Sequence, residues 1–117
     1  MKVLVVEPRR LPHEATISGD LASMQSVVGG LIQAVYPFEE SVALICNEEG
    51  KLLGLPMNRA LHDENGDIYD IIEGTFFLCA APLESSHFVG LSDEQIKRYL
   101  ERFSKIEYFM LNGKEGV

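Results

Sequence analysis

The sequence contains few cysteines and no long run of apolar residues. Cys46 and Cys79 are the two cysteines among 117 residues, and both lie in apolar stretches. This favours buried free thiols in a reducing compartment over a disulfide. No apolar run approaches the roughly 18–20 residues that a membrane-spanning helix needs. Only four apolar residues stand together before Glu7, so no signal peptide is predicted and the cytoplasm is the expected location.

Positive charge is also scarce. The chain has 10 Lys and Arg residues against 18 Asp and Glu residues, a formal net charge of −8. A protein that binds nucleic acid directly needs a basic stripe to displace counterions. An anionic membrane surface would repel so acidic a chain. We therefore expect neither direct nucleic-acid binding nor a membrane surface as a partner.

The negative charge is concentrated in the middle of the chain. Residues 39–73 hold nine acidic residues against Lys51 and Arg59, a net charge of −7. Such a segment is commonly a solvated face that keeps a small protein in solution. It can also be a surface that attracts a protein partner with a basic surface. For this second interpretation, the candidate partner-binding residues are Glu48, Glu49, Asp63, Glu64 and Asp67.

The composition is that of an ordinary globular protein, with 46% hydrophobic and 24% charged residues. The length suits a single domain over residues 1–117. We predict an α+β fold, a small mainly antiparallel sheet with two packed helices at about residues 20–29 and 92–104, and a frayed tail from about residue 112. The predicted strands are 2–7, 31–36, 42–46, 51–55 and 75–80, with an edge strand at 14–18, a further segment at 68–73 and one helical turn at 58–62.

Capping residues mark where the two helices begin. Asp20 is a good N-cap residue, apolar residues then recur on one helical face, and Gly29 with Gly30 favours the helix end. Ser92 and Gln95 stand at the spacing of a capping box, with acidic residues in the first turn and basic residues towards the end. The second pattern is the stronger helix signal because cap, dipole and apolar face agree.

Motifs for metal binding or catalysis are missing. The stretch 63–67 begins like a calcium loop, but the sixth and twelfth positions, which require Gly and Glu, hold Ile68 and Gly74. The histidines and cysteines lack the short spacings of a zinc site. We predict no catalytic residue, no metal and no cofactor. An enzyme that uses His62 and Asp63 as acid–base groups is a further interpretation, and such chemistry needs a water-excluding pocket.

Asn58 and Arg59 are polar residues within an otherwise apolar stretch. The asparagine amide both donates and accepts hydrogen bonds, and the arginine fork of five N–H groups suits a carboxylate or a phosphate. A small-ligand or nucleotide site at these two residues is one interpretation, because binding groups are common on loops. The other is internal: a turn or cap at Asn58, and an ion pair between Arg59 and Asp63 or Asp67.

Three stretches follow a distinctive order of glycine, apolar and polar residues. They are Val-Gly-Gly-Leu-Ile-Gln-Ala-Val-Tyr-Pro-Phe at 28–38, Asn-Glu-Glu-Gly-Lys-Leu-Leu-Gly-Leu-Pro-Met-Asn-Arg-Ala at 47–60 and Ile-Glu-Gly-Thr-Phe-Phe-Leu at 72–78. Over about residues 1–82 the chain resembles a small family of unknown function carried by phages, plasmids and conjugative elements of bacteria, often near antirestriction-type genes. Thr75 stands where many relatives place an acidic residue. The resemblance implies an accessory role in a mobile element and supplies no reaction.

Two functions follow as expectations. The first is a non-catalytic accessory binding protein of a mobile genetic element, in particular a counter-defence inhibitor of the antirestriction type that meets a basic partner through its acidic surface. The alternative is a small-ligand or nucleotide-binding module that uses Asn58 and Arg59. A homodimer is a further expectation if a strand such as 75–80 lies at the edge of the sheet, where it could pair with a second copy.

Overall fold

A computed structural model describes residues 1–109 of the chain. These residues form seven strands and three helices. The predicted tail from residue 112 lies outside the described residues. In chain order the elements are β1 (Lys2–Val6), β2 (His13–Thr16), α1 (Leu21–Val28), β3 (Ile32–Val35), β4 (Val42–Asn47), α2 (Gly50–Leu53), β5 (Met57–His62), β6 (Ile68–Glu73), β7 (Phe76–Ala80) and α3 (Asp93–Arg102).

Five strands form one antiparallel sheet in the order β2-β1-β7-β4-β3, and β5 pairs with β6 in a separate antiparallel hairpin. The predicted α+β fold with a mainly antiparallel sheet is confirmed. β7 is the central strand, because β1 and β4 are bonded to its two sides. Residues 75–80 therefore do not meet the condition set above for a homodimer through this strand, and a run that is apolar on both faces suits the middle of a covered sheet.

Both faces of the five-stranded sheet are covered. Successive residues of β7 point to opposite sides, so that Phe76 belongs to one core and Phe77 to the other, and both are fully buried. Met24 and Val28 of α1 cover the Phe77 side. The β5–β6 hairpin and α3 cover the Phe76 side. The hairpin and α3 therefore share one face of the sheet, and the groove described below lies on that face.

The two longer helices begin where their caps predict. Asp20 accepts a hydrogen bond from the backbone N–H of Ser23 at 2.8 Å, and Gly29 ends α1 in the left-handed conformation. At α3 the Ser92 hydroxyl accepts from the backbone N–H of Gln95, whose side chain accepts from that of Ser92. Both predicted helices are confirmed. None of the helices within residues 1–109 combines the length and the apolarity that crossing a membrane requires.

The segment from α2 through β5 differs from the prediction. The strand predicted at 51–55 is largely the short helix α2, and Gly54 ends it in the left-handed conformation. A Cβ on Gly50 would lie 2.7 Å from the carbonyl oxygen of Glu73, so this glycine lets α2 pack directly against β6. The helical turn predicted at 58–62 is the strand β5, because pairing with β6 outweighs a local pattern of mixed polar and apolar residues.

The two cysteines are free and buried, as predicted. Cys46 faces the core under α3, and Cys79 faces the core under α1. The sheet therefore separates the two thiols. Burial raises the pKa of both, that of Cys79 to about 12, which keeps them in the unreactive thiol form at neutral pH.

Candidate functional site

Asn58 joins the hairpin to the sheet. Its side chain is fully buried. The amide nitrogen donates to the carbonyl oxygens of Val6 at 2.8 Å and Gly74 at 2.9 Å. The amide oxygen accepts from Nη1 of Arg59 at 2.8 Å. Asn58 thus holds the start of β5 against the end of β1 and the turn before β7.

Arg59 is the largest fully buried side chain of the described residues and is 1% exposed. Its Nε and Nη2 donate to the carbonyl oxygen of Phe103 at 3.2 and 3.1 Å, and Nη2 also donates to that of Arg10 at 2.8 Å. Nη1 donates to the carbonyl and amide oxygens of Asn58. Burial lowers the pKa of the guanidinium, and the negative charge of Glu107 opposes that effect. The guanidinium therefore connects the hairpin to the end of α3.

These hydrogen bonds bear on both interpretations of the pair. The expected ion pair between Arg59 and Asp63 or Asp67 is wrong, because the guanidinium faces backbone carbonyls and the Asn58 side chain instead. A ligand site at Asn58 and Arg59 stays a prediction. A ligand that used these groups would have to enter a buried place and displace internal hydrogen bonds, which leaves buried oxygens without donors.

The predicted turn at 63–67 is the tip of the hairpin. Oδ1 of Asp63 accepts from the backbone N–H groups of Asn65 and Asp67, both at 2.9 Å. Gly66 has a φ of 83°, which favours glycine. Asp63 therefore shapes the turn as well as carrying charge. No three potential metal ligands among residues 1–109 come together around one point.

The five candidate partner-binding residues fall into two groups. Asp63, Glu64 and Asp67 lie at or beside the hairpin tip. Glu48 and Glu49 precede α2, whose first residue packs against Glu73 at the other end of β6. The five residue steps along β6 correspond to about 17 Å of extended chain. The predicted acidic surface is therefore two separate acidic places on the molecule.

A cleft of about 480 Å³ lies between the hairpin tip and the segment that joins β3 to β4. We call it the hairpin cleft. Asp63 and Glu64 line it from the tip. The opposite wall includes Tyr36, which is 61% exposed. Tyr69 of β6, which is 56% exposed, also lines the cleft. The lining also includes Phe38, Glu39, His62 and Arg102.

Arg102 lies at the junction of three clefts. Besides the hairpin cleft, it lines two neighbouring clefts of about 230 and 420 Å³ along α3. Its guanidinium stands 4.9 Å from the ring centroid of Phe38, within the range of a cation–π contact. The ion pairs formed within residues 1–109 do not include it. Arg102 thus places a positive charge in the lining of the hairpin cleft.

His62 and Asp63, the acid–base pair of the enzyme interpretation, both line the hairpin cleft. Both side chains are exposed. No hydrogen bond or ion pair within the described part of the chain engages the imidazole of His62. Acid–base chemistry at this pair would therefore take place in contact with solvent.

A family model described as a domain of unknown function, DUF3846, matches residues 1–104. The chain belongs to this family. No curated protein and no solved structure matches the chain. The DUF3846 match confirms the resemblance to a family of unknown function. It also extends beyond residues 1–82 and takes in α3, so every residue of the hairpin cleft lies within the matched region. The association with mobile elements stays a prediction.

Glu40 holds α3 of this DUF3846 domain beside the hairpin cleft. Its carboxylate accepts hydrogen bonds from Tyr99 Oη at 2.6 Å, Arg98 Nη2 at 2.5 Å and Gln95 Nε2 at 3.1 Å. The hydrogen bond from Tyr99 is the main reason that the pKa of Glu40 is lowered. Burial, followed by the same hydrogen bond, raises the pKa of Tyr99. The sequence pattern showed Glu40 only as one of many acidic residues, because its three partners lie more than fifty positions away.

Stability of the DUF3846 domain should depend on the charge of Glu40. A carboxylate whose pKa is lowered in the folded state adds stability above its unfolded pKa and loses it as the pH falls through the folded value. We expect Glu40→Gln to lower the free energy of unfolding by about 1–2 kcal/mol at pH 7 and to reduce its fall on acidification. Urea unfolding between about pH 3 and pH 7 measures both effects.

Glu39→Gln is the matched control, because it removes the neighbouring carboxylate from an exposed position. This variant should keep the acid sensitivity of the parent chain. A Glu40→Gln protein that loses stability on acidification as steeply as the parent chain would contradict the assignment.

Proposed function

We propose that this protein is a non-catalytic binding protein that takes a lysine or arginine side chain of a partner protein into the hairpin cleft. One observation carries the proposal. The exposed carboxylates of Glu39, Asp63 and Glu64 line the same cleft as the exposed aromatic rings of Tyr36 and Tyr69. The proposed site thus includes Asp63 and Glu64 of the predicted acidic surface and places them in a cleft.

The chemistry of the cleft fits a cationic side chain. An ammonium or guanidinium group is attracted to carboxylates and to the faces of aromatic rings, and the alkyl part of such a side chain packs on apolar surface. Arg102 offsets only part of the negative charge, because the lining contains three carboxylates and one guanidinium. An anionic ligand would meet a net negative site.

The first test reverses charge in the cleft while keeping the Asp63 carboxylate that shapes the turn. Asp63 is left in place because its carboxylate holds the hairpin tip. Glu39→Lys/Glu64→Lys should weaken binding of peptides that carry Lys or Arg between apolar residues by about 10- to 100-fold. Fluorescence anisotropy with a peptide library measures this effect, with Gln at the central position of the reference library.

Glu48→Lys/Glu49→Lys is the matched control, since it makes the same change in net charge at the other acidic place. We expect this variant to bind like the parent chain at physiological salt, where distant surface charges are screened. Equal loss in both variants would favour the broad acidic surface over the cleft. A parent chain that does not prefer Lys or Arg peptides over Gln peptides would refute the proposal.

We propose further that this binding serves a mobile genetic element as a counter-defence, by occupying a basic surface of a host restriction enzyme in the cytoplasm. Support comes from the resemblance carried by residues 28–38, 47–60 and 72–78 and from the two free thiols, which suit a reducing compartment. Expression of the parent chain in a restricting host should raise the transformation efficiency of unmodified plasmid. The Glu39→Lys/Glu64→Lys variant should not, and no rise with either chain would refute the counter-defence role.

A further inference from the structure

β3 is an open edge of the five-stranded sheet. It pairs only with β4 among the described elements. The hydrogen bond from the N–H of Glu48 to the carbonyl oxygen of Leu31 extends the β3–β4 register by one residue pair. Hydrogen-bonded pairs alternate with non-hydrogen-bonded pairs along an antiparallel ladder. The N–H and C=O groups of Ile32 and Ala34 therefore point away from β4. No group of residues 1–109 bonds to them on that side.

Within β3 there is no charged residue, proline or bulge that would oppose pairing with another strand. Natural edge strands are commonly blunted by charged residues, proline or bulges. The chain has no charged residue between Asp20 and Glu39, so β3 is neutral along its whole length. The edge strand β2 at the opposite side differs, because it contains Glu14 and follows Pro12. Of the two edges, β3 is the one suited to further pairing.

We propose that β3 pairs antiparallel with β3 of a second copy of this chain. A two-fold axis at Gln33 would place Ile32 opposite Ala34 of the second copy, and the reverse, with about four main-chain hydrogen bonds between them. Gln33 would then face Gln33 of the second copy. The two five-stranded sheets would become one continuous sheet.

The neighbouring side chains agree with a second copy as the occupant. The same register places Leu31, which is 51% exposed, opposite Val35 of the second copy, so that apolar surface is covered on both sides of the axis. Each copy carries a net charge of −8, and two such copies repel each other wherever their acidic places meet. The neutral β3 edge lets them pair with their main chains without bringing like charges together at the contact.

Charge at position 33 tests the pairing directly. The parent chain should sediment as a dimer at about 100 µM, which would detect even a weak interface. Gln33→Lys and Gln33→Glu should each raise the dimer dissociation constant by about tenfold or more, because like charges would face each other across the axis. An equimolar mixture of the two variants should recover dimers, since Lys then faces Glu. Sedimentation equilibrium measures all four samples.

Thr16→Glu is the matched control, because it adds an acidic residue to the other edge strand at an exposed position. It should dimerise like the parent chain. A monomeric parent chain would overturn the proposal, and so would Gln33 variants that dimerise unchanged or a mixture that stays monomeric. Circular dichroism of each variant verifies that the fold is retained. The outcome is independent of the hairpin cleft, because Gln33 does not line it.

Discussion

Arg59→Ala is expected to lower the free energy of unfolding by about 3–5 kcal/mol, a large fraction of the roughly 5–15 kcal/mol of a typical domain. Two losses combine in this value. The substitution leaves a cavity in place of the largest fully buried side chain, and cavities in a packed interior are only partly closed by relaxation. It also removes the donors of the carbonyl oxygens of Arg10 and Phe103. Urea unfolding followed by circular dichroism measures the change.

Two further variants sharpen this result. Arg59→Lys should recover only part of the loss, because an ammonium group has three donors and lacks the planar fork. Arg10→Ala should change stability by no more than about 0.5 kcal/mol, since Arg10 takes part through its backbone oxygen and its side chain is exposed. If Arg59→Ala left the free energy of unfolding unchanged but abolished binding of a small ligand or nucleotide, the internal role would be refuted and the ligand site favoured.

Phe103→Ala is expected to lower the free energy of unfolding by a similar amount, about 3–5 kcal/mol. The Phe103 ring is 6% exposed and packs edge-on against Phe76 at 5.6 Å and Phe38 at 6.2 Å between ring centroids. Loss of the ring would loosen α3 from the sheet and release Phe38, which forms part of the hairpin cleft. We therefore expect weaker peptide binding in addition to lower stability.

Tyr108→Ala is the control for Phe103→Ala, because the Tyr108 residue is 74% exposed. We expect this substitution to leave the free energy of unfolding nearly unchanged. Unfolding in urea and peptide anisotropy, measured on the same samples, separate the two effects. A Phe103→Ala protein that keeps full stability would show that α3 is held by other contacts, chiefly those of Glu40.

The fold was predictable where short-range patterns and burial agree. The structure confirms the strand predicted at 2–7, the N-cap at Asp20 and the capping box at Ser92. Each of these depends on a sequence pattern only a few residues long. Residues 50–62 were misassigned because their conformation depends on distant partners. The close packing of Gly50 against the backbone of Glu73 positions α2, and residues 57–62 are extended because they pair with β6.

The site was predictable only in part. The acidic turn at 63–67 was visible in the sequence, and so was the unusual Asn58-Arg59 pair. Their surroundings were not, because Arg59 reaches Phe103 over 44 positions. The cleft likewise joins the β3–β4 segment, the hairpin and α3, which a local pattern cannot bring together. Phe38 and Arg102 were missed for that reason.

The separation of Cys46 and Cys79 by the sheet has a consequence for the dynamics of the molecule. Each thiol belongs to a different core, one beneath α3 and the hairpin and the other beneath α1. A thiol-specific reagent reaches a buried cysteine only during a local opening of the layer that covers it. The rates at which the two cysteines react therefore report separately on the opening of the two layers, so that the chain already contains one natural reporter for each face of its central sheet.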